Sequence, residues 1–220
     1  NKTKIFPLDS EHYSLKSLLN LSNYDELKKI YITASGGPFF KKKFNEIKNI
    51  SFKQAKNHPK WKMGYKNSID SATLANKCLE LIEAHYLFNL PYDKLRILIH
   101  PEALVHSIIE YNNYTSLMNY FYHDMYIPLF NFFSVAIKEK KYPILNYNYD
   151  FKKNSSFNFY KPNLKQFPVL NTFNKIEKSP INLIKFNCAN EFAVNLFAEK
   201  KINFGSIHNI IANSLSLDLN

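Results

Sequence analysis

Hydrophobic and polar positions in the first half of the chain switch between short apolar runs and longer stretches with helical spacing. The apolar runs at 5–8, 30–39 and 95–100 predict strands. The spacing over 71–89 predicts the strongest helix of the chain. Because strands and helices alternate, we expect an α/β (α+β) domain over residues 1–137.

The second half of the chain is patterned differently. Residues 138–165 are rich in Lys, Asn and Tyr with scattered prolines, and they predict a linker. Three segments then carry apolar residues at helical spacing: 167–178, 182–201 and 206–217. Gly205 is a candidate for the end of the second of these helices. We therefore expect a mostly helical C-terminal region over 166–220, and a further helix near 124–137 at the end of the first domain.

Composition adds one apparent clue, a net charge of +11. A basic protein attracts anionic partners such as nucleic acid, phosphorylated metabolites or a membrane surface. The lysines are spread along the whole chain, however, and Arg96 is the only arginine, whereas a nucleic-acid-binding surface needs a clustered patch. The longest apolar run, 127–137, is too short to span a bilayer. We therefore expect neither nucleic acid nor a membrane as a partner.

The cysteine and glycine counts exclude several further classes of protein. Cys78 and Cys188 make neither a disulfide framework nor a zinc quartet, and they favour free thiols in a reducing compartment. The chain has only four glycines, at positions 36, 37, 64 and 205. Neither a G-x-G-x-x-G fingerprint nor a P-loop can be written from these positions, so this chain carries no such nucleotide motif.

Two acidic residues stand close together in the stretch PLDSEH at 7–12. If the strand at 5–8 continued through them, Asp9 and Glu11 would point to the same face. Two carboxylates on one face repel each other unless a cation joins them or one keeps its proton. The stretch is therefore either a strand end that opens into a solvated loop or part of a metal site.

The helix predicted at 71–89 collects polar residues in one wedge at 100° per residue: Asn76, Lys77, Glu80 and Glu83. Asp70 or Ser71 is the candidate N-cap of this helix. One interpretation of the wedge is a solvated face with a Lys77–Glu80 ion pair. The other makes Glu80 a third carboxylate for Mg²⁺ or Mn²⁺, which prefer oxygen ligands, beside a set of phosphate donors.

Two loops carry further candidate chemistry. ITASGGPF at 32–39 joins an apolar run to Ser35 and two adjacent glycines, which suit either an ordinary tight turn or close approach of the backbone to a phosphate. HPKWKMG at 58–64 is a polar loop with the only tryptophan, Trp61. That side chain either packs on the core or belongs to a flap that covers a ligand.

Six motifs now occur in an order that resembles one enzyme family. They are PLDSEH, ASGGPF, HPKWKMG, DSATLANKCLE, LIHPEALVHS and CANEF. Over about residues 5–200 they are similar to 1-deoxy-D-xylulose 5-phosphate reductoisomerase, and the solvated-loop interpretation of PLDSEH becomes the weaker one. The resemblance implies a metal-dependent rearrangement of 1-deoxy-D-xylulose 5-phosphate by retro-aldol cleavage and aldol rejoining. NADPH-dependent reduction to 2-C-methyl-D-erythritol 4-phosphate would follow, in the non-mevalonate isoprenoid pathway.

The resemblance also implies roles for the matching positions. The metal, Mg²⁺ or Mn²⁺, would be held by Asp9, Glu11 and Glu80. The substrate would be contacted by Ser10, Glu11, Ser35, His58, Trp61, Ser71, Asn76, Lys77 and Glu80. Of these, Glu11, His58 and Lys77 would be catalytic. NADPH would be approached by Met63, Gly64 and Met125, and His106 would support the site. A homodimer is implied, in a bacterial cytoplasm or a plastid-type organelle.

The chain also departs from the family pattern. Nothing in it corresponds to the family's N-terminal NADPH-binding domain or to its Ala-Asn-Lys-Glu motif, and His123 stands where the family has proline. We therefore expect 1–137 to be a catalytic domain and 166–220 a truncated helical domain, which together bind metal and sugar phosphate without reducing the substrate alone. The alternative is a non-catalytic remnant that acts as a dimerisation or sugar-phosphate-binding module.

Overall fold

The computed structural model of the chain describes residues 5–57, 63–137 and 157–217. Within them the chain forms a four-stranded sheet and nine α-helices, which confirms the predicted α/β fold class with a mostly helical C-terminal part. The strands are β1 (Leu27–Ala34), β2 (Leu95–Ile99), β3 (Val105–Tyr111) and β4 (Ser116–Tyr120). The helices are α1 (Ser10–Leu19), α2 (Phe44–Ile47), α3 (Phe52–Ala55), α4 (Tyr65–Thr73), α5 (Ala75–Phe88), α6 (Tyr126–Ala136), α7 (Pro168–Lys175), α8 (Pro180–Ala198) and α9 (Phe204–Ser216).

The chain divides into two compact units. The sheet unit consists of Asn1–Thr33 and Glu83–Tyr160, and the helical unit consists of Ala34–Ile82 and Lys161–Asn220. The division falls inside α5, whose start belongs to the helical unit and whose end belongs to the sheet unit. The division into domains at 1–137 and 166–220 with a linker at 138–165 stays a prediction, and only 157–165 of that linker lies within the described residues.

The sheet unit has the strand order β2-β1-β3-β4. β3 pairs antiparallel with both of its neighbours, and Ile30 of β1 lies opposite Ile109 of β3. Helix α1 packs against β3 and β4 and buries Leu15 completely. A hydrogen bond of 2.6 Å joins the hydroxyls of Ser14 and Ser107 and fixes α1 on the sheet. The first turn of α1 is therefore held at a defined point of the sheet unit.

The strand predicted at 5–8 is wrong, because these residues have no regular secondary structure. The polar residues of PLDSEH that follow them begin α1. Asp9 is the N-cap, and its Oδ1 accepts the backbone N–H groups of Glu11 at 3.0 Å and His12 at 3.2 Å. An acidic N-cap satisfies amides that have no partner within the helix, and it complements the positive end of the helix dipole. The apolar residues at 15, 18 and 19 continue the helical pattern and bury this helix.

The single helix predicted at 71–89 is two helices, and this prediction is corrected. Leu74 lies between α4 and α5 with φ of 61° and ψ of 16°, a left-handed conformation that ends α4. Its side chain is fully buried, so packing holds a backbone conformation that leucine rarely adopts. Asp70 and Ser71 consequently lie in the last turn of α4 and do not cap α5.

The helical unit packs α7, α8 and α9 around buried phenylalanines, with edge-to-face pairs between Phe173 and Phe186 and between Phe197 and Phe204. The prediction that Gly205 ends α8 is wrong, because Gly205 lies in the first turn of α9. A Cβ there would approach the Lys48 Cβ to 3.0 Å, so close packing explains this glycine.

Most of the remaining elements lie where their spacing predicts them. The strands at 30–39 and 95–100 and the helices at 124–137, 167–178, 182–201 and 206–217 all occur with shifted ends, as β1, β2 and α6 to α9. The strands β3 and β4 were not predicted. Within the described residues, every helix is too short or too polar to cross a membrane.

Candidate functional site

The first turn of α1 presents two acidic side chains from the sheet unit. Asp9 is 42 % exposed although it caps the helix, and Glu11 is 14 % exposed. The Ser10 hydroxyl donates a hydrogen bond of 2.6 Å to Glu11 Oε2, which orients that carboxylate. Two carboxylates on one helical turn are hard oxygen donors of the kind that Mg²⁺ and Mn²⁺ prefer.

Two buried histidines flank this turn. His12 Nδ1 lies 3.5 Å from an oxygen of Asp9 and 3.5 Å from an oxygen of Glu83, at the sheet-unit end of α5. His106 Nδ1 lies 3.9 Å from Glu11 Oε1, and its Nε2 donates to the Phe121 carbonyl oxygen at 3.1 Å. Because a carbonyl only accepts, Nε2 carries a proton and Nδ1 is the atom that faces Glu11.

Sequence reasoning assigned no role to His12, although it stands in the PLDSEH motif itself. Its signal was its position three residues after Asp9, where a helix places two side chains on one face. Glu83 was recognised in the polar wedge but not as a partner of this histidine. Both were missed because the motif was interpreted as a strand, in which Asp9 and His12 would face opposite ways.

The helical unit brings the Ser35 loop and the end of α4 together. Gly36 and Gly37 have φ of 84° and 66°, values that favour glycine. A Cβ on Gly37 would lie 2.9 Å from the Ser71 carbonyl oxygen and 3.0 Å from the Ala72 Cα, so this loop packs backbone against backbone on α4. The Gly37 N–H donates to the Ser35 hydroxyl at 3.3 Å. The two glycines thus serve a close approach and not only a turn.

The start of α5 holds a buried ion pair. Lys77 Nζ donates to both carboxylate oxygens of Glu80 at 2.8 Å, and Asn76 Nδ2 donates to Glu80 Oε1 at 3.2 Å. Lys77 and Glu80 are only 5 % and 7 % exposed, so the interpretation of the wedge as a solvated face is wrong for these two residues. Asn76 Oδ1 is buried with no hydrogen-bond partner among the described residues, and thus leaves an acceptor for a ligand.

The other predicted site residues lie at the starts of α4 and α6 or outside the described residues. Gly64 is the N-cap of α4, and among the described residues no atom lies within 4 Å of where its Cβ would stand; Met63 directly precedes it. Met125 is half-buried at the start of α6 in the sheet unit. His58 and Trp61 lie outside the described residues. The flap assigned to them, and the roles of Met63, Gly64 and Met125, therefore stay predictions.

Comparison with known proteins identifies two domain signatures in the chain. Residues 5–88 match the family model described as 1-deoxy-D-xylulose 5-phosphate reductoisomerase C-terminal domain. Residues 122–220 match the model described as DXP reductoisomerase C-terminal domain. These two segments together leave out residues 89–121, which contain β2, β3 and β4 of the sheet unit.

Similar full-length proteins carry the same description. The chain is 44 % identical over 213 residues to the 1-deoxy-D-xylulose 5-phosphate reductoisomerase of Sulfurihydrogenibium sp. (strain YO3AOP1), which covers 96 % of this chain and 56 % of the relative. It is 40 % identical over 212 residues to that of Clostridium kluyveri (strain ATCC 8527), covering 96 % of this chain and 54 % of the relative. The chain thus spans about half the length of the curated relatives it matches.

Solved structures agree with these matches. A DOX-P reductoisomerase in complex with NADPH, fosmidomycin and magnesium superposes with a TM-score of 0.84 at 34 % identity, over 97 % of this chain and 54 % of that one. The reductoisomerase from Zymomonas mobilis in complex with NADPH gives a TM-score of 0.83 at 34 % identity, over 97 % and 55 %.

Proposed function

Because the chain belongs to the 1-deoxy-D-xylulose 5-phosphate reductoisomerase family, we propose that it forms the metal- and substrate-binding part of such an enzyme. The proposed substrate is 1-deoxy-D-xylulose 5-phosphate, and the proposed reaction is its metal-dependent rearrangement and NADPH-dependent reduction in the isoprenoid pathway. The cofactors would be NADPH and either Mg²⁺ or Mn²⁺. The proposed location is a bacterial cytoplasm or a plastid-type organelle.

We propose that Asp9, Glu11 and Glu80 hold the divalent metal. The observation that carries this proposal is the contact between His12 and Glu83, which ties the start of α1 to α5 inside the sheet unit. Glu80 precedes Glu83 by three residues of one continuous helix, so the two side chains leave α5 on the same side. When bound, the metal would act as a Lewis acid on substrate oxygens.

The residues of the helical unit support binding of the substrate phosphate. Ser35 and Ser71 offer hydroxyl donors at the contact between the glycine loop and α4. Asn76 would donate the second hydrogen of Nδ2, since the first is donated to Glu80 and its Oδ1 can only accept. Lys77 offers a cation that a phosphate would share with Glu80. Ser10 would contact the substrate beside Glu11, and His106 would hold Glu11 in place.

The proposed flap and nicotinamide contacts complete this assignment. His58 and Trp61 would close over the substrate, with His58 acting as a catalytic residue beside Glu11 and Lys77. Met63, Gly64 and Met125 would approach the nicotinamide of NADPH. Their support is the family membership alone, and the fluorescence of Trp61, the only tryptophan of the chain, tests the flap: its emission should change when a phosphonate substrate mimic binds with metal, and an unchanged emission would contradict the flap.

The metal assignment is tested by measuring Mn²⁺ binding through electron paramagnetic resonance. Glu80→Gln and Asp9→Asn should each weaken binding by at least about 10- to 100-fold, because each removes a charge from a site of few ligands. Glu191→Gln is the matched control, since it removes the same charge from an exposed position of α8 and should leave Mn²⁺ binding unchanged. If Glu80→Gln binds Mn²⁺ like the wild type while Asp9→Asn does not, Glu80 is not the third ligand.

A second candidate function is a non-catalytic dimerisation or sugar-phosphate-binding module. It is favoured by β4, an edge strand on which Leu117 and Met118 are 39 % and 48 % exposed, since an open edge pairs readily with another strand. The same edge supports a homodimer for the enzyme. The dimer is tested by comparing the sedimentation coefficients of Met118→Lys and the wild type, since the substitution should favour the monomer. Turnover of 1-deoxy-D-xylulose 5-phosphate with NADPH distinguishes the enzyme from the non-catalytic module.

A further inference from the structure

A buried acidic residue of α4, Asp70, directly precedes Ser71. Asp70 is 1 % exposed, and its Oδ2 accepts a hydrogen bond of 2.7 Å from Lys66 Nζ, one turn earlier in the same helix. Its Oδ1 accepts a hydrogen bond of 2.9 Å from Nδ2 of Asn190, which is fully buried on α8. Asp70 therefore anchors α4 to α8 within the helical unit.

The backbone of the same turn makes a different contact. Successive residues of a helix point about 100° apart, so the Asp70 and Ser71 side chains leave α4 in different directions. Ser71 lies against the glycine loop, where a Cβ on Gly37 would meet its carbonyl oxygen at 2.9 Å. The end of α4 is thus fixed between α8 and the loop that carries Ser35, and the contacts on its two sides determine its rotation.

Joining α4 and α8 through a buried carboxylate costs folding free energy, because the charge of Asp70 is removed from water. Burial raises the pKa of Asp70, and the contacts with Lys66 and Asn190 offset that burial only in part. In addition, Asn190 Oδ1 is buried with no hydrogen-bond partner among the described residues. Two apolar side chains of similar size would join α4 and α8 at lower cost, so stability alone does not account for this pair.

We propose that Asp70 is a positioning residue, whose contact with Asn190 sets the rotation of α4 and thereby places the Ser71 hydroxyl for the substrate phosphate. This inference rests on the phosphate role proposed above for Ser71. Asp70 does not touch the phosphate itself, because its carboxylate would repel an anion and its two oxygens already face Lys66 and Asn190.

An exchange of the two partners tests the role. Asp70→Asn removes the negative charge that faces Lys66 and Asn190, and Asn190→Asp places two carboxylates against each other, whereas the double variant restores one carboxylate that faces one amide. Binding of inorganic phosphate in the presence of Mg²⁺, measured by calorimetry, should weaken about tenfold in each single variant and recover in the double variant. Glu191→Gln is the matched control, because it removes one negative charge from the neighbouring exposed position of α8 and should bind phosphate like the wild type.

Thermal unfolding separates positioning from plain stabilisation. If the single variants lower the melting temperature but bind phosphate with wild-type affinity when folded, Asp70 is merely structural and the proposal is overturned. If the wild type binds phosphate no better than Ser71→Ala, the role of Ser71 fails instead. In that case, the exchange rate of the backbone amide hydrogens of residues 68–74 tests the positioning of α4. Asp70→Asn should accelerate this exchange, and the double variant should restore the wild-type rate. An unchanged rate in Asp70→Asn overturns the proposal.

Discussion

The acidic residues of the two units differ in how their charge is balanced. At the start of α1 in the sheet unit, Asp9 is partly exposed and accepts hydrogen bonds from backbone amides. At the start of α5 in the helical unit, Glu80 is buried and takes both of its shortest contacts from Lys77. The sheet unit thus surrounds its carboxylates with backbone amides and histidines, whereas the helical unit places a lysine of the same helix against Glu80.

The largest expected effect comes from removing the internal cation. Lys77→Met should leave the Glu80 carboxylate buried without its ion pair and lower the free energy of unfolding by about 3–5 kcal/mol. Urea denaturation measures this, with Glu83→Gln as a control on the exposed end of the same helix. A loss below about 1 kcal/mol would mean that solvent reaches Glu80 and that the two units do not differ in this way.

The glycine loop gives the next largest effect. Gly37→Ala should destabilise the chain by about 1–3 kcal/mol, because alanine at φ of 66° is strained and its Cβ would meet the Ser71 carbonyl oxygen. Gly64→Ala is the matched control, since its φ is −56° and no atom of the part of the chain that the structure describes lies within 4 Å of the new Cβ. Its stability should stay within about 0.5 kcal/mol of the wild type in the same denaturation experiment. Equal effects of the two changes would contradict the close approach.

The next effect in size concerns Asp9, the N-cap of α1 in the sheet unit. Asp9→Ala should cost about 0.5–2 kcal/mol in metal-free buffer, because the N–H groups of Glu11 and His12 lose their acceptor. Asp9→Asn should cost much less, since asparagine is also a good N-cap, while it still loses metal binding. Chemical denaturation with and without Mn²⁺ separates the two roles, and equal stability losses for both variants would argue against the cap.

The smallest expected effect is a pH dependence from Asp70. Burial raises its pKa, Lys66 and Asn190 lower it in part, and nearby Glu191 raises it further. A pKa raised in the folded state means that this group favours folding most below its unfolded pKa of about 3.9, and that this contribution is lost as pH rises through the folded pKa. The stability of Asp70→Asn relative to the wild type should therefore increase over that range in pH-dependent unfolding. A decrease would show that the carboxylate is stabilised by its partners.

Periodicity predicted the elements that are long or bounded by clear signals. The helices α7 and α8 each begin with a proline at their first position and carry apolar faces, which sequence reasoning detects directly. The motifs predicted the family, because their order along the chain is itself specific. The residue pairs at the site were harder to predict. A helical wheel shows Lys77 and Glu80 in a polar wedge, whereas their burial depends on tertiary packing, which the wheel does not contain.

The wrong predictions have local causes. The run at 5–8 resembled a strand because apolar residues alone carry no information on pairing, and the capping role of Asp9 was overlooked. The break at Leu74 has no sequence signal, because a buried leucine in the left-handed conformation is imposed by tertiary packing. Gly205 was mistaken for a helix end because glycine serves both as a C-cap and at close contacts.

Each compact unit is assembled from two distant segments of the chain, and this has a consequence for biosynthesis. As a ribosome releases the chain, β1 must wait for its partner β3, and the helical unit, begun at Ala34, must wait for Lys161–Asn220. Ala34–Ile82 is therefore exposed to solvent while the sheet unit is still being completed. Nascent chains with such delayed contacts fold slowly and depend on chaperones, so the helical unit should be the last part of this protein to become resistant to protease during translation.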